Sequence, residues 1–174
     1  MSSRELRVRP LNRLPEVARG DQIGALIAAA AGPQDGEVVV VSQKIVSKAE
    51  GRLRRLDEVE PGERARELGA LTGKPPELVE LILAESRAVI RAVPGVLITE
   101  TNSGWICANG GIDASNIPGG GGWVALLPVD ADASARRIRS EIRTGSGRSP
   151  AVVVADSFGR PWRLGQADVA IGCA

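Results

Sequence analysis

Residues 36–51, GEVVVVSQKIVSKAEG, change character halfway. Four consecutive valines form a β-branched run suited to a strand buried on both faces, and the residues after them turn abruptly polar. A buried strand aims its last side chains into a cleft, so polar groups at such an exit are a recurring site geometry. The same design returns at AVVVADS (151–157), where the run ends on Asp156 and Ser157. Two strands of this kind in one chain point to a sheet packed between other elements.

The stretches between them read mostly as helices. Asp21 is placed to cap QIGALIAAAAG, which Gly32 stops. EPGERARELGALTG (60–73) and PPELVELILAESRAVIRAV (75–93) read as two helical segments. In the second, Leu78, Leu81, Ile82, Glu85, Val89 and Ala92 share one mostly apolar face. LRVR (6–9) alternates and predicts a short strand before Pro10, RLPEV (13–17) a loop, and GVLITET (95–101) another strand. DASARRIRSEIR (132–143) predicts a helix capped by Asp132 or Ser134. Alternating strands and helices define an α/β or mixed α+β fold, a mixed sheet with flanking helices, in one domain over residues 1–174. The final DVAIGCA reads as the middle of an element.

Composition excludes several chemistries. The 174 residues contain no histidine, which removes Ser-His-Asp and Cys-His centres and histidine-ligated zinc. Two cysteines without CxxC spacing, Cys107 and Cys173, make a disulfide framework a poor reading and a reducing, cytoplasmic setting the default. No apolar run approaches the roughly 18–20 residues that span a bilayer, so no membrane partner is expected. Lys plus Arg (22) balances Asp plus Glu (21), and only four aromatic residues occur, Phe158, Trp105, Trp123 and Trp162. Nucleic acid is therefore not an expected partner.

A third segment joins the two strand exits. ANGGIDASNIPGGGG (108–122) sets Asp113 and Asn116 among glycines. Ser42, Gln43, Lys44, Ser47 and Lys48, then Asp156, Ser157 and Arg160, complete the polar set. Hard oxygen donors suit Mg²⁺ or Mn²⁺, and amines with backbone N–H groups suit phosphate. This is an inventory for metal-assisted phosphoryl chemistry. Each residue also has a plain structural reading: Asp113 as an Asx-turn residue, Asp156 as a turn cap, the lysines as solvated charges, Trp162 as a core filler. TGKP (72–75) lacks the glycine spacing of a P-loop, and no GxGxxG follows a strand.

Read together and in order, RLPEV (13–17), VVVVSQKIVSKAEGR (38–52), GGIDASN (110–116) with LLPVDADASA (126–135), and VVVADSFGRPWRLGQADVAIG (152–172) resemble the coenzyme F420-0:L-glutamate ligase family. The resemblance implies that family's fold and a GTP-dependent amide ligation. The terminal carboxylate of F420-0, or a dehydro precursor, is activated as an acyl phosphate. The α-amine of L-glutamate displaces the phosphate, and a second glutamate can follow through a γ-linkage. It also implies Mg²⁺ or Mn²⁺, with K⁺ as an additional candidate ion, and a homodimer.

Carried over by position, Leu14, Pro15, Glu16 and Val17 line the GTP site, and Ser42, Gln43, Lys48 and Asn116 contact the nucleotide. Asp113 and Asp156 share a metal as the catalytic carboxylates, and Ser157 faces a second metal. Members of the family continue beyond the point matched by DVAIGCA, so the chain is expected to hold the N-terminal part of a ligase domain. Two other readings stay open. One is a different Mg²⁺- or Mn²⁺-dependent phosphoryl transfer; the other is an inactive fragment that only dimerises or holds the F420 precursor.

Overall fold

A computed structural model describes residues 5–12, 14–114, 122–158 and 167–174 of the chain. The valine run forms strand β1 (Val38–Ser42), and the polar residues after it form a short helix, α2 (Gln43–Ala49). β1 pairs in parallel with β7 (Ala151–Phe158), with Val38 beside Ala151 and Ser42 beside Ala155. The two strand exits anticipated from sequence therefore end side by side. β7 is central in a three-stranded mixed sheet, because β8 (Ala167–Cys173) pairs antiparallel on its other edge. The C-terminal stretch is thus a paired strand.

α1 (Ile23–Ala31) and α5 (Ala131–Ser146) cover this sheet, and Ile27, Ile138, Ile142, Val152 and Val154 form its core. The covering helices sit very close. A methyl group at Gly172 on β8 would lie 2.3 Å from the backbone carbonyl of Ala131, and one at Gly24 on α1 would lie 2.3 Å from the carbonyl oxygen of Ile138. Only glycine permits either contact.

A second core, built on Leu68, Val79, Ile82, Leu97, Val124 and Leu126, lies under a hairpin sheet. Here α3 (Glu63–Thr72) and α4 (Pro76–Ala84) pack with β3 (Ser86–Val93), β4 (Val96–Thr101) and β5 (Ile106–Ala108). A two-stranded sheet of β2 (Leu53–Arg55) and β6 (Trp123–Ala125) completes the strands.

Three sequence expectations are corrected. The helix predicted over 75–93 ends at Ala84, and its second half is β3. SRAVIRAV carries β-branched residues, and Pro94–Gly95, with Gly95 at φ 78°, turns it back onto β4. Tertiary pairing overrides the helical period. LRVR forms no strand: Leu6 and Val8 are 89% and 84% exposed, and among the described residues no strand pairs with this stretch. The caps also shift. Asp130 caps α5 by accepting the Ala133 N–H at 2.8 Å, while Asp132 accepts the Cys173 N–H and Ser134 bonds Glu50. Asp21 caps no helix; its carboxylate accepts the Ala18 N–H.

Candidate functional site

The site is organised by α2. Lys44 and Lys48 stand one turn apart on its surface, the spacing that puts two side chains on one face. Lys44 Nζ lies 2.7 Å from Asp113 Oδ2, and Lys48 Nζ donates to Glu16 Oε1 at 2.5 Å. One face of a seven-residue helix therefore reaches both the RLPEV loop and the glycine-rich segment.

Leu14, Pro15, Glu16 and Val17 border a cleft of about 260 Å³, closed on its other side by Ile45 and Lys48 of α2. Ser42 is the last residue of β1 and is exposed at the start of α2. Gln43 behaves differently. Its side chain is 2% exposed, and its amide donates to Ser47 Oγ at 2.8 Å and to the Leu126 carbonyl at 3.2 Å. Ser47 donates to the same carbonyl at 2.6 Å. These bonds fasten α2 to the segment after β6, so the Gln43 side chain is turned into the core. Only its backbone remains available to a ligand at the strand exit.

Asp113 does not sit in a loose turn. Its N–H donates to the Ala125 carbonyl at 3.0 Å and its carbonyl accepts the Ala125 N–H at 2.8 Å. The chain approaches it through three successive left-handed residues, Asn109, Gly110 and Gly111, at φ 55°, 60° and 70°. At Gly111 a methyl group would also meet the Leu127 side chain at 2.6 Å. The glycines immediately before Asp113 thus deliver a fixed carboxylate.

Asp156 lies on β7, one residue beyond the position beside Ser42. Burial pushes its carboxyl above the usual range, and the negative charges of Asp113 and Asp168 push it further. The Ser157 backbone N–H and Lys44 pull the other way. Ser157 faces Asp168 across β7 and β8, and its hydroxyl donates to Asp168 Oδ1 at 2.5 Å. The buried Cys107 thiol is pushed up to about 11 by desolvation and by the Asp156 charge. Asn116, Arg160 and Trp162 lie outside the described residues.

Two carboxylates and a hydroxyl are hard donors that fit Mg²⁺ or Mn²⁺, and crowded negative charge at Asp156 is what a divalent cation relieves. Among the described residues, no three acidic or thiol side chains converge as a ready-made metal cage. Sequence reasoning missed Asp168 and gave Lys44 no partner. The alternating register of DVAIG against VVVADS was the only signal that could have placed Asp168 opposite Ser157.

The fold and strand-end geometry define a mixed α/β domain with acidic and basic side chains gathered beside its parallel strand pair. The sequence profile of the F420-0:Gamma-glutamyl ligase family matches residues 12–174, and the chain belongs to that family. It is 43% identical over 97% of its length to the coenzyme F420:L-glutamate ligase of Methanopyrus kandleri, covering 66% of that protein. It is 41% identical over 92% and 94% of its length to the proteins of the same name from Methanothermobacter thermautotrophicus and Archaeoglobus fulgidus, covering 65% and 64% of them. The chain thus spans just under two thirds of the length of these relatives. Among the described residues, no helix is long and apolar enough to cross a membrane.

Proposed function

We propose that this chain carries the nucleotide- and metal-handling part of a coenzyme F420-0:L-glutamate ligase, an enzyme that uses GTP and works as a homodimer. The observation that carries the reading is the α2 face. It sets Lys48 against the cleft bordered by Leu14 to Val17 and Lys44 against Asp113. A nucleotide in that cleft would meet Lys48 and Ser42, with its phosphates directed toward Asp113 and Asp156.

The chemistry follows from phosphoryl transfer, which demands positioning and charge neutralisation more than covalent help. An F420-0 carboxylate oxygen bonds to the γ-phosphorus of GTP as the bond to the β-γ bridging oxygen breaks, giving GDP and an acyl phosphate. The glutamate α-amine then bonds to the acyl carbon, phosphate leaves, and the nitrogen loses a proton. Mg²⁺ or Mn²⁺, when bound, spreads the negative charge of the transferring group. Asp113 and Asp156 would hold the ion and Lys48 would offer charge to the phosphates, while Lys44 balances Asp113. No histidine is required, because an acyl phosphate reacts with a positioned amine.

Calorimetric titration of GTP with Mn²⁺ tests the binding half. The parent chain is expected to bind only with the metal present, and Asp113→Asn and Asp156→Asn to abolish the heat. Phosphate release that depends on both F420-0 and L-glutamate tests the reaction. GTP turnover indifferent to glutamate would move the assignment to another phosphoryl transfer.

A further inference from the structure

The Ser157 hydroxyl has one proton to give, and it gives it to Asp168. A serine oxygen carries two acceptor lone pairs besides that proton. With the proton drawn toward β8, the lone pairs are left for a group arriving from another side. Strand pairing holds the arrangement: Ser157 and Asp168 are directly opposed on adjacent antiparallel strands, where side chains share a face. We infer that Asp168 is a positioning residue, which orients the Ser157 hydroxyl so that its oxygen faces a divalent cation. The inference rests on the ligase reading, in which Ser157 meets a second metal.

The choice of a carboxylate is informative. A neutral acceptor could take the same proton, but a carboxylate also makes the donating oxygen more electron-rich and adds negative potential where a cation binds. A purely structural cross-strand pair at an exposed position would instead contribute slightly to stability and nothing to ion binding.

The test is Mn²⁺ uptake by the chain with GTP present, followed by EPR, alongside a thermal melt of each variant. The parent is expected to take up a tighter and a weaker ion. Asp168→Ala should weaken only one of them, by about 10–100-fold, the range for losing a group behind a metal ligand. Ser157→Ala should weaken the same ion, and the double variant no more than Ser157→Ala alone. Asp168→Asn, which keeps the acceptor and the shape, should restore part of the loss and covers the case in which the alanine variant does not fold. Two ions in the parent with unchanged uptake in both Asp168 variants would overturn this inference alone, as would additive losses in the double variant. No Mn²⁺ uptake by the parent would overturn the ligase reading together with it.

Discussion

Lys44 Nζ and Asp113 Oδ2 stand 2.7 Å apart, joining the helix after the first parallel strand to a residue 69 positions further along the chain. The ammonium occupies one side of the carboxylate that the proposed metal would use. Lys44→Met should therefore tighten Mn²⁺ binding in the absence of nucleotide, because a cation no longer competes for Asp113. The same variant should lose GTP affinity if Lys44 also serves the phosphates. Paired Mn²⁺ and GTP titrations check both directions.

Asp156 sets a pH dependence. Its carboxyl titrates above the unfolded value because burial and neighbouring carboxylates disfavour the charge. Between the unfolded and folded pKa values the folded state binds more protons, so this group's contribution to stability falls as pH rises through that window. Without metal, Asp156→Asn should raise the melting temperature at neutral pH and flatten this part of the pH profile. Mn²⁺ should bind the parent progressively less well as pH falls through the same window, since the ligand must first lose its proton.

Gln43 and Lys48 should separate stability from binding. Gln43→Ala removes a buried donor from the Leu126 carbonyl, which keeps its bond from Ser47. A loss of about 1–3 kcal/mol is expected in denaturant unfolding, with a smaller effect on GTP affinity. Lys48→Ala breaks an ion pair with the exposed Glu16 and removes a largely covered stem from the cleft wall, so it should lower the unfolding midpoint less than Gln43→Ala and weaken GTP binding more.

The two thiols should differ sharply in reactivity. Cys107 is buried and held protonated, with its thiol pushed up to about 11, while Cys173 is exposed. Alkylation of the native protein at pH 8, read by intact mass, should modify Cys173 and spare Cys107 until denaturant is added.

Gly172→Ala should destabilise the fold by pressing a methyl group into the Ala131 backbone. Overpacking against backbone costs about 1–3 kcal/mol, or roughly 2–4 °C of melting temperature per kcal/mol in a chain of this size. Differential scanning calorimetry measures it directly.

The valine runs were legible as strands because a β-branched stretch ending in polar residues has few other uses, but burial of the first on both faces was wrong: β1 lies at the edge of its sheet, with Val38 and Val40 60% and 66% exposed. Their adjacency was not legible, because β1 and β7 are joined by a pairing across more than a hundred residues. The helix expected through Val89 failed because an apolar period cannot tell a helix from a strand once a Pro–Gly turn supplies a partner. Asp113 and Asp156 could be singled out by residue type and context. Their shared electrostatics, and the inward turn of Gln43, depend on contacts with Lys44 and Leu126 that no local pattern encodes.

The parallel pairing of Val38–Ser42 with residues 151–155 also has a consequence in time. During synthesis the first strand emerges long before its partner exists, and until Ser157 has left the ribosome the two ends of the site cannot meet. On the proposed reading, a nucleotide that needs both strand ends could be captured only after this pairing has formed, and by no shorter peptide that lacks the second strand.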